Sequence, residues 1–196
     1  PYIDGPGRTE LIEKALYSAS LIQDEDERAT VLSSLIPYLK GPGKERFIEN
    51  IFAFAVYIRY GDAKFQILSS LMPHLYGSKN EKLMEAALEL ASCIQSDYRR
   101  VEAFSMLVPY LNQQRKYEII EEALQLAFNL KDKDLRPQAL SLIIQYLDGP
   151  MQKEILEKAL ELASEIKSKS QRNQAFFSLV LYLDESEREK IMELNT

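Results

Sequence analysis

Two charged positions recur along the chain at intervals of 36 residues, and they are the first candidates for chemistry. The cationic series is Arg28, Lys64, Arg100, Arg136 and Arg172, and the acidic series is Glu13, Glu49, Glu85, Glu121 and Glu157. Such rows of charge could grip an extended partner, or they could join helices through ion pairs and through hydrogen bonds to C-terminal carbonyls. On a helical wheel Arg28 falls among the leucines of an apolar stripe, so its head group must be satisfied at the edge of the core. We therefore interpret both series as structural.

Groups that could act in catalysis or metal binding are scarce. Cys93 is the single cysteine and His74 the single histidine, so a histidine-based metal cluster or a cysteine–histidine pair would have to use these residues alone. The Gly-Pro-Gly segments at 5–7 and 41–43 recur with the 36-residue period and lack the lysine and hydroxyl residue of a phosphate-binding loop. We expect no catalytic residue, no metal site and no cofactor, and we expect that the protein is not an enzyme.

Aromatic residues concentrate in the second 36-residue segment. Phe47 and Phe52 occupy positions that are aliphatic in the other segments, so we expect them in the core. Tyr57 and Tyr60 differ, because the corresponding positions elsewhere are mostly polar. An exposed aromatic pair can anchor a peptide, and packing across the turn is the alternative. Tyr57 and Tyr60 are therefore candidate partner-binding residues.

The elements that position these residues must be helices, because each segment contains two apolar stripes at helical spacing. In the first segment one stripe is Leu11, Ile12, Ala15, Leu16, Ala19 and Ile22, and the other is Val31, Leu32, Leu35, Ile36 and Leu39. The segments are 5–40, 41–76, 77–112, 113–148 and 149–184, with partial units at 1–4 and 185–196. A fixed period in this range is the signature of a solenoid. The sequence therefore predicts five two-helix repeats.

The stripes and turn residues predict eleven helices and no strand. The predicted helices are 7–22, 26–39, 43–59, 62–76, 79–95, 98–111, 115–130, 134–147, 151–167, 170–183 and 186–194. Polar residues that suit a helix N-cap stand at the expected start of each second helix. They are Asp26, Asp62, Asp134 and Ser170, with Ser96 or Asp97 in the third repeat.

Three further series repeat with the same period. A small residue that would let neighbouring helices approach closely stands at Ala19, Ala55, Ala91, Ala127 and Ala163. An expected packing ladder near the inter-repeat turns comprises Tyr38, His74, Tyr110, Tyr146 and Tyr182. Pro37, Pro73 and Pro109 should bend the ends of their helices. Gln145 and Leu181 replace proline, which predicts straighter ends in the last two repeats.

Stacking of these repeats defines the expected architecture. With such short turns, successive helices must be antiparallel neighbours, and a constant small rotation between units gives a right-handed α-α superhelix with a concave and a convex surface. We expect an all-α fold in which 1–196 forms one α-solenoid domain. The partial units at the two ends predict a fragment of a longer array.

The repeated pattern resembles a known class of helical hairpins. It runs Glu-x-Ala-Leu-x-x-Ala, then Ile with an Asp-rich turn and Arg, then Ala-Leu, Ser and Leu-x-Pro-Tyr-Leu. Over essentially the whole chain this is similar to the HEAT-like or tetratricopeptide-like repeats of large bacterial and archaeal multidomain regulators. The tetratricopeptide consensus itself, with its Trp, its Leu-Gly pair and its 34-residue period, is not met. The resemblance implies partner binding, in some relatives as the sensor segment of a signal-transducing NTPase, and it carries over no catalytic residue.

Charge and composition bound the choice of partner. The net charge is -6 and no repeat carries more than +1, which argues against a phosphate-binding track. The chain has no apolar run long enough to span a bilayer, and it has a single cysteine. We therefore expect a cytoplasmic protein without membrane association. The first hypothesis is a scaffold that binds a protein or peptide. The alternatives are single-stranded RNA binding by pentatricopeptide-like hairpins, and a structural spacer that associates end to end through its uncapped ends.

Overall fold

Helix is the only regular structure in the described part of the chain, as the 3.6-residue spacing of the apolar side chains predicts. The computed structural model describes residues 6–38, 44–59, 61–75, 81–185 and 188. Within them the chain forms ten α-helices, four short 3-10 helices and no strand, which confirms the all-α class. The predicted helix at 186–194 lies outside the described residues apart from Arg188, and so does the partial unit at 1–4.

The chain divides into two compact bodies, Pro1–Leu111 and Asn112–Thr196. The division falls at the predicted limit between the third and fourth repeats. In the first body the helices are α1 Pro6–Ser20, α2 Glu25–Leu35, α3 Lys44–Ala55, α4 Gly61–Leu75, α5 Glu81–Ser92 and α6 Asp97–Leu107. The first helices of successive repeats pack side by side, α1 on α3 and α3 on α5, and so do the second helices, α2 on α4 and α4 on α6. The first body therefore has two layers of helices.

The second body contains α7 Gln113–Asn129, α8 Arg136–Ile144, α9 Gly149–Ser164 and α10 Lys169–Leu179. Its second helices, α8 and α10, pack side by side, while α9 packs against both of them and α7 packs against α8. Two pairs of helices thus share one core in which second helices are again neighbours.

The predicted core is largely present. All five alanines of the small-residue series are buried, and so are Phe47 and Phe52. Leu11 departs from the prediction: its counterparts Phe47 and Leu83 are buried, whereas Leu11 is 49% exposed. Within the described residues α1 has a first helix, α3, on one side only, so its outer apolar positions lack the neighbour that covers the same positions of α3.

The helix starts differ from the prediction. The N-caps of the second helices, or of the 3-10 turn Lys133–Leu135 that leads into α8, are Asp24, Ser96, Asp132 and Ser168, and each accepts a hydrogen bond from a backbone N–H two or three residues later. Ser96 is one of the two residues expected in the third repeat. The prediction of Asp26, Asp134 and Ser170 is wrong by two residues, and Asp62 lies inside the first turn of α4. The physical reason is that the first helices end early, at Ser20 and Ser164 for example, so the turn closes sooner.

The type of helix end does not follow the distribution of proline. Pro37 and Pro109 lie in 3-10 turns, Ile36–Tyr38 and Val108–Tyr110. Leu181 lies in an equivalent 3-10 turn, Val180–Tyr182, without any proline, whereas Pro73 lies within the continuous helix α4. Proline at this position is therefore neither necessary nor sufficient for the tightened helix end.

The turns that precede α7 and α9 differ from each other. Asn112 caps α7 by accepting a hydrogen bond from the Arg115 N–H at 3.0 Å. Asp148, the counterpart of Asn112, makes no side-chain cap bond, and the next residue, Gly149, has φ +56°. A glycine is suited to this left-handed conformation because it has no Cβ. The repeat that lacks glycine at this position therefore starts its helix through an asparagine cap instead.

Candidate interaction surface

The arginines of the cationic series close the turn between the two helices of a repeat. Each lies in the first turn of the second helix and donates to the carbonyl oxygen six residues earlier, one or two residues after the end of the first helix. The distances are 3.1 Å from Arg28 Nη1 to Ile22, 2.9 Å from Arg100 Nε to Ile94, 2.8 Å from Arg136 Nη2 to Leu130 and 2.8 Å from Arg172 Nη1 to Ile166. A charged donor satisfies a carbonyl that the helix end leaves without an intrahelical partner.

Lys64 departs from this pattern. Its side chain is buried, at 6% exposure, and Nζ donates to the carbonyl oxygen of Cys93 in the following repeat at 3.3 Å. Cys93 itself is a half-buried free thiol. Lysine carries a compact ammonium in place of the guanidinium fork, and here it joins the second repeat to the third. Sequence spacing treats the five cations as equivalent and gives no sign of this difference.

The acidic series is not brought against the cationic series. Glu13, Glu85, Glu121 and Glu157 are exposed and Glu49 is half-buried. Among the described residues no ion pair joins one series to the other; Glu157 instead lies 3.9 Å from Lys153 on its own helix. Two of the arginines have a local carboxylate instead: Arg28 Nη2 lies 4.0 Å from Glu25 Oε1, and Arg100 Nη2 lies 3.4 Å from Asp97 Oδ1. The two rows therefore do not form a continuous charged ladder.

The turn that carries Tyr57 is held by a contact between repeats. The Glu25 carboxylate, at the start of α2, accepts from the backbone N–H of Arg59 and lies 3.3 Å from its Nε. The Glu25 side chain is nearly buried while the Arg59 side chain is exposed. Tyr57 is 81% exposed on this turn, which excludes packing across the turn as its role. Tyr60, the other predicted member of the pair, lies outside the described residues.

Helix capping explains why the other repeats carry polar residues at the position of Tyr60. Its counterparts are the four residues that cap the second helices, Asp24, Ser96, Asp132 and Ser168. The polarity of this position reflects helix capping, since these side chains accept backbone N–H groups. The counterpart of Tyr57 in the first repeat is Leu21, which is also exposed. Two exposed apolar side chains thus occupy matching turns of the first body.

A second contact between repeats lies beside the same turn. Arg99 of α6 lies 3.5 Å from Asp62 of α4 and 2.8 Å from Glu102, and its guanidinium stands 4.9 Å from the centre of the Phe65 ring. The hydrogen bond with Glu102 raises the pKa of Arg99, and Asp62 adds to the effect. Together with the Glu25–Arg59 pair, this contact fixes successive turns of the first body against each other.

The expected tyrosine ladder is uneven. The Tyr182 hydroxyl donates to the Ser141 carbonyl at 3.2 Å, which links α10 to α8, and burial raises the pKa of Tyr182. Lys116 Nζ stands 5.9 Å from the Tyr146 ring centre. Tyr38 is exposed. His74 is half-buried, and burial followed by the charge of Lys44 lowers the pKa of its imidazole.

Two kinds of feature are absent from the described parts of the chain. No group of three or more His, Cys, Asp or Glu side chains is placed to hold a metal ion. No helix there combines the length and apolar character needed to cross a membrane. The features that sequence reasoning missed are contacts between repeats, above all Glu25 with Arg59, because two residues 34 positions apart can meet only through the stacking of helices.

The comparisons with known proteins assign no family. No protein-family model matches the chain, and no curated protein matches it. The resemblance to helical-hairpin repeats consequently rests on the chain's own period and residues. A functional assignment has to come from the exposed turns described above.

Proposed function

We propose that the protein is a non-catalytic, cytoplasmic scaffold that binds a protein or peptide segment, as the sensor or recognition part of a larger regulator. We further propose that its five 36-residue repeats, members of the HEAT-like and tetratricopeptide-like class, stack as a right-handed superhelix. Supporting this are the recurrence of the same arginine-to-carbonyl bond in both bodies and the side-by-side packing of second helices in each.

The observation that carries the proposal is the exposure of Tyr57 on a turn of restrained backbone. A tyrosine side chain offers a large apolar surface and a hydroxyl, and it has few rotatable bonds. Tyrosine is therefore enriched among the residues that dominate binding energy. The bond from the Arg59 N–H to Glu25 fixes the backbone two residues away. An aromatic side chain held in water by a fixed turn loses little entropy when a partner covers it.

The test is selection of peptides on the purified chain from a random display library, followed by measurement of affinity for the enriched peptides by fluorescence anisotropy. We expect Tyr57→Ser to weaken binding by about tenfold or more, the range of a central aromatic contact. Tyr117→Ser is the matched control, because Tyr117 is a similarly exposed tyrosine on α7. Both variants should unfold at the wild-type urea concentration, because exposed side chains contribute little to stability. Failure to enrich any peptide, or equal losses in the two variants, would contradict the proposal.

A further inference from the structure

Four lysines of the second body lie in the turns that precede its second helices. Lys131 and Lys133 stand before α8, and Lys167 and Lys169 stand before and at the start of α10. All four are exposed. Within the described residues none of their ammonium groups forms a hydrogen bond or an ion pair, whereas Lys153 and Lys158 on α9 both pair with glutamates. The four charges therefore contribute nothing visible to the packing of the body.

The two turns meet on one edge of the second body, which we call the lysine edge and define by Lys131, Lys133, Lys167 and Lys169. The 3-10 turn Lys133–Leu135 contacts α10 directly. Further along, Tyr182, in the 3-10 turn that follows α10, donates a hydrogen bond to the carbonyl of Ser141 in the second half of α8. These two contacts show that α8 and α10 run in the same direction with their starts side by side. The four ammonium groups therefore project from adjacent turns.

The lysine edge is a property of the second body and not of the repeat. At the two corresponding positions the first three repeats carry Gln23 and Glu25, Arg59 and Gly61, and Gln95 and Asp97. Residues 130–136 and 166–172 together carry a formal charge of +4, whereas 22–28, 58–64 and 94–100 together carry -1. Glu25 and Asp97 are also used within the protein, against Arg59 and Arg100. Lys133 and Lys169 thus stand at a position that two other repeats use for an internal ion pair.

We propose that the lysine edge binds an acidic protein segment. Free ammonium groups on adjacent turns match the carboxylates of an extended chain, and such complementarity sets specificity and association rate. Asp132 and Asp134 lie among the lysines, and Glu165 lies at the end of α9. A short acidic segment can contact the lysines individually and avoid these carboxylates. A long polyphosphate would extend past the lysine edge and lie against the rest of a chain with net charge -6, where carboxylates within about 8 Å would repel it at physiological salt.

The inference rests on the proposed function, because an acidic segment is one kind of protein partner. It concerns a different surface, however, and the two can fail separately. If peptide binding does not depend on Tyr57, the proposal for the Tyr57 surface fails and the proposal for the lysine edge stands. If binding of an acidic peptide does not depend on the four lysines, only the proposal for the lysine edge fails.

The test measures binding of a fluorescein-labelled decapeptide of alternating glutamate and serine to the full chain by anisotropy. The variants are Lys131→Gln with Lys133→Gln, Lys167→Gln with Lys169→Gln, and all four together. The matched control is Lys153→Gln with Lys158→Gln, which removes the same charge from α9. We expect each edge pair to weaken binding about three- to tenfold and the quadruple variant to weaken it by roughly the product, from the strength of exposed ion pairs. The control should change affinity less than about twofold.

Two comparison ligands complete the experiment, a decapeptide with glutamine in place of glutamate and a uridine decamer. The glutamine peptide should not bind, and raising the salt concentration should weaken binding of the glutamate peptide as screening increases. The inference is overturned if the wild-type chain shows no saturable binding below about 1 mM, or if the control pair matters as much as an edge pair. Tighter, lysine-dependent binding of the uridine decamer would assign the edge to nucleic acid instead. Circular dichroism melts that coincide for all variants establish that folding is unchanged.

Discussion

Arg100 Nε donates a hydrogen bond of 2.9 Å to the carbonyl oxygen of Ile94, a buried residue at the end of the preceding turn. The same relationship recurs for Arg28, Arg136 and Arg172 with the residue six positions earlier. An arginine near the core of a repeat is therefore accounted for by the backbone that it satisfies. In these four repeats the arginine ties the start of the second helix to the turn that precedes it.

Replacement of Arg100 by Met should lower the free energy of unfolding by about 1–3 kcal/mol, because the Ile94 carbonyl loses a charged donor while it remains buried. Urea unfolding followed by circular dichroism measures the change. Lys14→Met serves as control: Lys14 pairs with Glu10 on the exposed face of α1, and its loss should cost less than about 0.5 kcal/mol. Equal stability of the Arg100 variant and the wild type would show that the bond to Ile94 is not structural.

The capping residue of α10 is tested by two serines. Ser168→Ala should destabilise the second body by about 1 kcal/mol, because the Ser168 hydroxyl accepts the Gln171 N–H at the helix start. Ser170→Ala, the identical change two residues later, removes no cap and should alter stability by less than about 0.5 kcal/mol. Thermal unfolding of both variants decides between the two positions. A larger loss for Ser170 would place the helix start where the sequence alone suggested.

Gly149 tests the left-handed turn between the fourth and fifth repeats. A Cβ at this position would meet no atom within 4 Å, so Gly149→Ala should cost only the backbone strain of φ +56°, about 1 kcal/mol. Gly149→Asn should cost less, since asparagine tolerates this conformation better than alanine. The comparison is made by urea unfolding. A gain of stability in the alanine variant would mean that the turn adopts another conformation.

Titration of the single histidine, His74, should make stability depend on pH. Burial, and after it the charge of Lys44, lowers the pKa of His74 in the folded state. The unfolded chain then takes up the proton first as pH falls below about 6.5, so this contribution to stability is present above that pH and is lost as pH falls through the folded pKa. An NMR titration of the single imidazole should give a midpoint below 6.5, and Lys44→Gln should raise it.

His74→Tyr provides the matched control for stability. Tyrosine occupies the corresponding position of the other four repeats and does not titrate between pH 5 and 7. The decline in unfolding free energy between these two pH values should therefore be smaller in the variant than in the wild type. A midpoint at or above 6.5, or identical pH profiles for the two proteins, would contradict the assignment.

How much of this could be predicted from the sequence depends on how local the interaction is. The all-α class and the buried alanines follow from spacing along one helix, which is visible in one dimension. The helix starts are less certain, because Asp24 and Asp26 are equally good caps and the choice depends on where α1 ends. Lys64 shares its repeat position with four arginines, and its reach to Cys93 depends on the packing of α4 against α5. Contacts of this kind depend on how successive repeats are rotated against each other. The spacing of residues along the sequence does not give that rotation.

The exposed turn residues divide in the same way. The sequence marked Tyr57 as a candidate but left packing across the turn open, and it gave no sign of the pairing of Arg59 with Glu25 that holds this turn. The net charge of each repeat does not reveal the lysine edge, because that charge is small in every repeat. Four lysines in adjacent turns become a patch only when α8 and α10 are seen to start side by side.

The arginine-to-carbonyl bond also constrains how the chain can change in length. Donor and acceptor are six residues apart in four repeats, and one inserted residue after the acceptor would move the arginine about 100° around its helix. This turn therefore does not tolerate insertions or deletions, unlike most surface loops. Variation among these four turns can enter only as substitutions at exposed positions, and in the second body those are the positions that carry the lysine edge.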